Sequence, residues 1–222
     1  VQGEGGFIPA PIEWVKAVRE ICDRYGIMMV CDEVQCGWAR SGKMFASEYF
    51  AEAGAAPDIM TTAKSIAGGI PLSAVVARKE VMDKVNPGTI GGTYGANALA
   101  AVSALKVIEV MTRDNYPAKA LHIAEKIGEG FKEIQKKHPC IGDIRGTGAM
   151  MGIEIVKDPV TKEPDAALTS AIIQNAMNKG LMLEAAGTFN NVIRILAPLV
   201  VTDEQIEAGL AIVASAFDEE DK

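Results

Sequence analysis

The sequence predicts an α/β fold, with helices packed around a mostly parallel sheet, followed by a smaller α+β domain. Three observations support this prediction. Apolar residues recur at helical spacing in the segment Pro11–Tyr25. A continuous apolar run, Ile27–Cys31, follows at once and is typical of a strand buried on both faces. After a second helical stretch at Phe45–Ala53 comes another short strand, Asp58–Thr62, and such alternation indicates crossover units in a parallel sheet.

The remaining elements are predicted from the same periodicities and from Gly or Pro residues at their ends. Ser73–Ala77 is a third predicted strand, and Ala96–Arg113 is a long helix without internal Gly or Pro. Beyond residue 113 we predict helices at Ala118–Lys137, Ala166–Lys179 and Asp203–Phe217, strands at Gly146–Val156, Leu181–Leu183 and Val192–Leu196, and a polar tail from Asp218. The predicted domains are residues 1–113, with the long helix as connector, and residues 114–222.

Composition excludes several classes of function. The 222 residues carry 22 basic and 29 acidic side chains, a net charge of −7, which argues against a nucleic-acid-binding protein. No apolar run approaches the roughly 20 residues that span a membrane. Two histidines, and four cysteines without a C-x-x-C pair, argue against a zinc site or another His-rich metal site. The cysteines are expected to be reduced, which indicates a cytoplasmic protein.

Three charged residues follow neighbouring predicted strands. Asp32 and then Glu33 come directly after the first strand, where open α/β sheets bind ligands. A strand-end turn, a helix cap and a magnesium ligand are the alternatives for this acidic pair. Lys64 follows the next strand in a small, apolar, glycine-rich setting, which predicts a partly desolvated and nucleophilic amine. The alternative is a lysine that extends from a loop into solvent.

An acid and a nucleophilic amine at successive strand ends suit pyridoxal phosphate. The aldehyde of this cofactor needs an amine, here Lys64, and its ring nitrogen needs a carboxylate, here Asp32. The segment Gly91–Thr93 offers backbone amides and a hydroxyl for a phosphate, or it forms a plain turn. The run Gly146-x-Gly148 lacks the strand–turn–helix context of a dinucleotide loop, so we interpret it as structural.

Arg194 lies between apolar neighbours in the strand Val192–Leu196. A buried arginine needs a partner, and its guanidinium can hold a carboxylate with two hydrogen bonds. The alternative is an arginine facing solvent on an edge strand. Glu4, in the glycine-flanked segment Gln2–Gly6, is a candidate internal partner.

Taken together, these motifs resemble the class III (subgroup II) pyridoxal-phosphate-dependent aminotransferases, and the resemblance covers the whole chain. The segments that carry it are Val1–Gly6, Cys31–Gly37, Ala63–Gly69, Gly91–Tyr94 and Val192–Arg194. Ala63–Leu72, Gly142–Gly146 and Asn191–Leu199 resemble most closely the bacterial members that act on 4-aminobutyrate.

The resemblance implies a fold-type I enzyme with pyridoxal 5'-phosphate as cofactor and a homodimer or dimer of dimers as assembly. Lys64 would hold the cofactor covalently and carry a proton, and Asp32 would pair with the ring nitrogen. Val34 would pack against the ring, Gln35 would lie near its phenolic oxygen, and Thr93 would bind the phosphate from the other subunit.

The resemblance also implies the reaction, an amino transfer from 4-aminobutyrate to 2-oxoglutarate that gives succinate semialdehyde and glutamate. Arg194 would bind the α-carboxylate of glutamate, and Glu4 would neutralise Arg194 when a substrate without that carboxylate is bound. The alternatives are an ornithine or acetylornithine aminotransferase, an aminomutase or racemase, and a non-catalytic fragment. Because family members are about twice as long, we expect this chain alone to be inactive.

Overall fold

The computed structural model describes residues 1–89, 91–95 and 97–220. The chain forms two compact units. One unit is Ala10–Pro117, and the other combines Val1–Pro9 with the chain from Ala118 onward. The assignment of residues 1–113 and 114–222 to two domains of a longer enzyme stays a prediction.

A three-stranded sheet organises the unit Ala10–Pro117. Its strands are β1 (Val30–Asp32), β2 (Ile59–Thr62) and β3 (Ala74–Ala77), in that order across the sheet. β1 and β2 run parallel, as predicted, whereas β3 pairs with β2 in antiparallel orientation. A one-turn 3₁₀ helix, Lys64–Ala67, and a short loop connect β2 to β3. This connection has no room for the crossover helix that a parallel neighbour would need.

The described part of the same unit contains four α-helices: α1 (Ile12–Tyr25), α2 (Ser47–Glu52), α3 (Lys79–Met82) and α4 (Ala98–Arg113). The apolar stripe of α1 buries Val15 and Cys22 in a cluster with Met29, at the start of β1. The helix ends at Gly26, whose φ of 66° is a left-handed conformation that glycine adopts without strain. These contacts fix the start of β1 and therefore the place where it ends.

The second unit is an antiparallel sheet covered by helices. Its helices are α5 (Tyr116–Lys137), α6 (Ala166–Asn178) and α7 (Asp203–Glu220), and its strands are β4 (Ile141–Thr147), β5 (Met150–Ile155), β6 (Glu184–Ala186) and β7 (Val192–Ile195). The strand order is β4-β5-β7-β6. Large apolar side chains from both layers are fully buried between them, among them Phe131, Ile153, Ile155, Ile172, Ile193 and Phe217.

The strand predictions for this unit are only partly correct. Gly146–Val156 is not one strand, because the chain reverses after Thr147 and makes the hairpin of β4 and β5. The prediction of a strand at Leu181–Leu183 is wrong, since the Leu181 amide bonds to the Ala176 carbonyl and closes the end of α6. Strand β6 begins only at Glu184. Helix α7 continues past Phe217 to Glu220.

The unit Ala10–Pro117 exposes many apolar side chains. They include Val30, Val75 and Val76 on the sheet and Leu99, Val102 and Leu105 on α4. Exposed apolar side chains in this number are typical of a surface that other protein covers. Across the described ranges, we find no helix with both the length and the apolar character needed to cross a bilayer.

Candidate functional site

Asp32 and Lys64 follow two parallel, hydrogen-bonded strands. Asp32 ends β1 and pairs with Thr61 of β2, and Lys64 comes three residues after Thr61. Because β1 and β2 are parallel, their carboxyl ends lie at the same edge of the sheet. The structure therefore brings these two predicted residues to one edge of the unit, where α/β folds bind ligands.

The loop after β1 is attached to the end of β2. The indole nitrogen of Trp38 donates a 2.7 Å hydrogen bond to the hydroxyl of Thr62, and both residues are buried. Trp38 also packs in a cluster with Ile66 and Ala67, from the 3₁₀ helix that follows Lys64. The Ser103 hydroxyl of α4 also donates to the Ala67 carbonyl at 2.8 Å. Packing thus fixes both chain segments that carry the candidate residues.

The backbone of Lys64 has an unusual conformation. Its φ is 48°, in the left-handed region that residues with a Cβ rarely adopt. Such a residue costs about 1–3 kcal/mol, and residues of this kind cluster at functional sites. The predicted partial desolvation of the Lys64 amine is wrong for this chain. Its neighbours are small and leave the Lys64 side chain exposed.

Asp32 and Glu33 are adjacent but differ in environment. Asp32 is exposed, and its Oδ1 accepts a 2.9 Å hydrogen bond from the amide of Val34. Within the described chain, no hydrogen bond occupies its Oδ2. Glu33 is only 2% exposed, and it accepts hydrogen bonds from the amides of Ala46 and Ser47 at the start of α2. Of the alternatives for the acidic pair, the helix cap applies to Glu33, while Asp32 keeps an oxygen free for a ligand.

The other predicted cofactor residues are Val34, Gln35 and Thr93. Val34 and Gln35 are half-buried in the turn after Asp32. Thr93 is exposed in the turn Gly92–Gly95, which is closed by a hydrogen bond from the Gly95 amide to the Gly92 carbonyl. Between the described residues, no hydrogen bond joins Thr93 to Asp32 or Lys64. Its binding of a phosphate from another subunit stays a prediction.

Arg194 forms a separate cluster in the second unit. It contacts Glu4, as the sequence indicated, with 2.5 Å between Nη1 and Oε1. Its Nη2 donates to Glu184, a residue that the sequence analysis missed. The side chain of Arg194 is 16% exposed, against 78% for Glu4 and 60% for Glu184. The Nε atom of Arg194 is buried and has no partner within the described chain.

The sheet register explains this cluster. Arg145, Gly152, Arg194 and Glu184 are direct neighbours across β4, β5, β7 and β6. Residues paired in this way have side chains on the same face of the sheet. Two arginines therefore flank a glycine, and Glu184 follows Arg194 on the edge strand.

The loop that carries Glu4 crosses this row above the glycine. A methyl group at Gly152 would lie 2.9 Å from the carbonyl oxygen of Gly6, so a larger residue there would push the loop away. Nε of Arg145 donates to the same carbonyl at 2.9 Å, and the amide of Gly187 donates to the carbonyl of Glu4 at 2.9 Å. Phe7 is fully buried below the loop. These contacts hold the backbone of Glu4 in place and leave its carboxylate at the surface.

Electrostatics favours the charged arginine. Burial lowers the pKa of Arg194, but the hydrogen bonds that it donates to Glu184 and Glu4 outweigh burial and raise that pKa above its usual value. Two carboxylates on one guanidinium give the cluster a net charge of about −1. Such a cluster can release one carboxylate to accept another anion without leaving Arg194 unpaired.

Comparison with known proteins gives one consistent result. A family model described as class-III aminotransferase matches residues 1–217. The chain is 48% identical to 4-aminobutyrate aminotransferase GabT of Escherichia coli (strain K12) and 45% identical to 5-aminovalerate aminotransferase DavT of Pseudomonas putida. Each alignment covers 99% of this chain and 51% of the relative, so the chain spans about half the length of these curated relatives.

A solved structure with the same fold is an amine transaminase from an uncultivated Pseudomonas species, in a form with pyridoxal phosphate bound. Its TM-score is 0.89 at 30% identity, and the match covers 99% of this chain and 50% of that one. The predicted fold, that of fold-type I transaminases, is thereby confirmed.

Proposed function

Since the chain belongs to the class III aminotransferase family, we propose that it is part of a pyridoxal-phosphate-dependent enzyme that converts 4-aminobutyrate and 2-oxoglutarate to succinate semialdehyde and glutamate. The contact between Glu4 and Arg194 is the observation that carries this proposal. An aminotransferase of this type must accept one substrate with a carboxylate beside the reacting carbon and one without it. An arginine with an exchangeable internal carboxylate meets both requirements.

Asp32 and Lys64 fit the cofactor. The cofactor, when bound, supplies an electron sink for the carbon that exchanges its amino group. The exposed amine of Lys64 is free to bond with an aldehyde, and Oδ2 of Asp32 is free to accept a hydrogen bond from a ring nitrogen. A carboxylate at that nitrogen keeps it protonated. The left-handed backbone of Lys64 also supports a functional role, because packing must hold it against a steric cost.

The remaining roles in the proposal follow from position. Lys64 moves a proton to or from the substrate carbon once its amine is released. Val34 and Gln35, in the turn after Asp32, orient the ring. Thr93 binds the phosphate of the cofactor that the partner subunit holds. The expected assembly is therefore a homodimer or a dimer of dimers.

In the substrate pocket, Arg194 binds the α-carboxylate of glutamate or 2-oxoglutarate. Glu4 leaves Arg194 for this step and returns when 4-aminobutyrate is bound. We place the protein in the cytoplasm, since the structure joins none of its four cysteines in a disulfide.

A panel of amine donors tests this function in the whole protein that contains the chain. With pyridoxal phosphate and 2-oxoglutarate present, we expect a higher kcat/KM for 4-aminobutyrate than for 5-aminovalerate, ornithine or acetylornithine. The 5-aminovalerate donor belongs in the panel because a relative at 45% identity bears that name. A preference for ornithine or acetylornithine would contradict the proposed substrate.

Two further outcomes test the reaction type and the fragment. Isomerisation of an amino acid without consumption of a 2-oxoacid would contradict transamination and favour an aminomutase or racemase. The chain of 222 residues, purified alone, is expected to give no turnover of 4-aminobutyrate, because it spans about half the length of its relatives.

A further inference from the structure

Arg194 has a second carboxylate partner, Glu184, whose role differs from that of Glu4. We propose that Glu184 is a specificity-determining residue: it stays on Nη2 of Arg194 when Glu4 leaves, and thereby weakens the binding of a substrate carboxylate beside the reacting carbon. This inference rests on the proposed function, in which Arg194 binds that carboxylate.

The two glutamates are held differently. Glu184 belongs to β6 and lies directly opposite Arg194 in the backbone pairing of β6 with β7. Its side chain therefore reaches Nη2 from a neighbouring strand without a loop movement. Glu4 lies in a turn, and its side chain is 78% exposed. Glu4 is the more exposed of the two, at 78% against 60% for Glu184, and we infer that Glu4 is the one that leaves by rotating into solvent.

The donors of Arg194 limit what a substrate can bind. A guanidinium binds a carboxylate best through two parallel N–H groups. Glu4 accepts from Nη1 and Glu184 accepts from Nη2. When Glu4 leaves, the N–H groups of Nη1 become free, while one of the two N–H groups of Nη2 stays bound to Glu184. An incoming carboxylate that uses two parallel N–H groups then takes the second N–H of Nη2, where it lies beside the Glu184 carboxylate and meets the repulsion of a second negative charge.

Charge leads to the same conclusion. With both glutamates present, two negative charges face one positive charge, and with Glu184 alone the charges balance. A substrate carboxylate therefore approaches a neutral pair instead of a free cation. A substrate without a carboxylate at this position does not displace Glu184, so its binding does not depend on this residue.

The test compares Glu184→Gln and Glu184→Leu in the whole protein. Glutamine keeps the size of the side chain and removes its charge, whereas leucine also removes the hydrogen bond. Glu133→Gln is the matched control, because Glu133 is an exposed carboxylate on α5 that pairs with Lys136. The readouts are the Kd of 2-oxoglutarate by titration calorimetry and the KM of each half-reaction from single-turnover spectra.

We expect both Glu184 variants to bind 2-oxoglutarate about three- to fivefold more tightly, in line with a partly exposed ion pair. The KM for 4-aminobutyrate of these variants should stay within about twofold of that of the unmodified protein. In Glu133→Gln, both the Kd of 2-oxoglutarate and the KM for 4-aminobutyrate should also stay within about twofold. Unchanged or weaker binding of 2-oxoglutarate in both Glu184 variants would overturn the inference. An equal gain in Glu133→Gln would also overturn it, since the cause would then be net charge alone.

Calorimetry separates this inference from the proposed function because it needs no turnover. If the whole protein fails to transaminate 4-aminobutyrate but Glu184→Gln still tightens 2-oxoglutarate binding, the proposed substrate is wrong and the role of Glu184 is supported. If 4-aminobutyrate is turned over and the Glu184 variants bind 2-oxoglutarate as the original does, the inference alone is wrong.

Discussion

Replacement of Glu4 by glutamine tests whether the carboxylate exchanges on Arg194. With 4-aminobutyrate bound, no substrate carboxylate faces Arg194, and Glu4 supplies the missing charge. With glutamate bound, the α-carboxylate takes the place of Glu4, so the loss of Glu4 has little effect. We therefore expect E4Q to lower kcat/KM of the 4-aminobutyrate half-reaction more than that of the glutamate half-reaction.

The structure sets the size of this difference. The atoms Oε1 of Glu4 and Nη1 of Arg194 are 2.5 Å apart, but the Glu4 side chain is 78% exposed. A charge-assisted contact is worth about 1.5–3 kcal/mol when it is well shielded, and an exposed ion pair is worth about 0.2–1 kcal/mol. Arg194 is shielded and Glu4 is not, and Glu184 remains as a partner. We expect a difference near 1 kcal/mol, which is about fivefold in kcat/KM.

Single-turnover absorbance spectra measure the two half-reactions separately. E163Q is the control, because Glu163 is an exposed carboxylate that pairs with Lys157 and takes no part in the cluster. The control should leave both half-reactions unchanged. If E4Q impaired both half-reactions equally, Glu4 would only shape the loop, and the carboxylate exchange would be refuted.

Three further predictions concern the two units. Gly152→Ala should speed limited proteolysis within residues 1–9, because its methyl group would lie 2.9 Å from the Gly6 carbonyl oxygen; an unchanged rate would contradict this packing. Glu33→Gln should lower the free energy of unfolding by about 1–3 kcal/mol in urea titrations, because the buried carboxylate accepts from two backbone amides of the α2 start. Burial, reinforced by the charge of Glu33, raises the pKa of Cys31 from 9.0 to about 11. At pH 8, alkylation of Cys31 by iodoacetamide should therefore be about a hundredfold slower than that of an ordinary thiol. The rate should rise about tenfold per pH unit as the pH approaches 11. A rate that levels off near pH 9 would contradict the raised pKa.

Much of the cofactor edge could be predicted from the sequence, because strand ends are visible in it. The apolar runs before Asp32 and Lys64 indicate two strands, and a parallel arrangement brings their carboxyl ends together. The predicted burial of the first strand on both faces is wrong for this chain, since Val30 of β1 is 54% exposed. The partner of Arg194 could also be inferred, since an arginine within an apolar strand requires a carboxylate. The sequence offers Glu4 as a candidate for that carboxylate, the resemblance implies its role, and the contact is present in the structure.

Other parts of the site depend on register and packing, which the sequence does not reveal. Glu184 was missed because the predicted strand at Leu181–Leu183 ended before it, whereas β6 begins with it. Its pairing with Arg194 follows only from the alignment of β6 and β7. The different environments of Asp32 and Glu33 could not be predicted either. Adjacent residues at a strand end turn to different sides, and the sequence does not show which side is buried. The exposure of Lys64 depends on which parts of the molecule cover it, and local composition does not determine that.

The most direct test of the account is the position of the covalent bond to the cofactor. The whole protein, loaded with pyridoxal phosphate, is reduced with borohydride, digested and analysed by peptide mass spectrometry. The account predicts a phosphopyridoxyl group on Lys64 and its loss in K64A. Lysines of the same unit serve as internal comparison, since Lys43 pairs with Glu52 and Lys79 with Asp83. A phosphopyridoxyl group on Lys43 or Lys79, with Lys64 unmodified, would contradict the role of Lys64 as the residue that holds the cofactor.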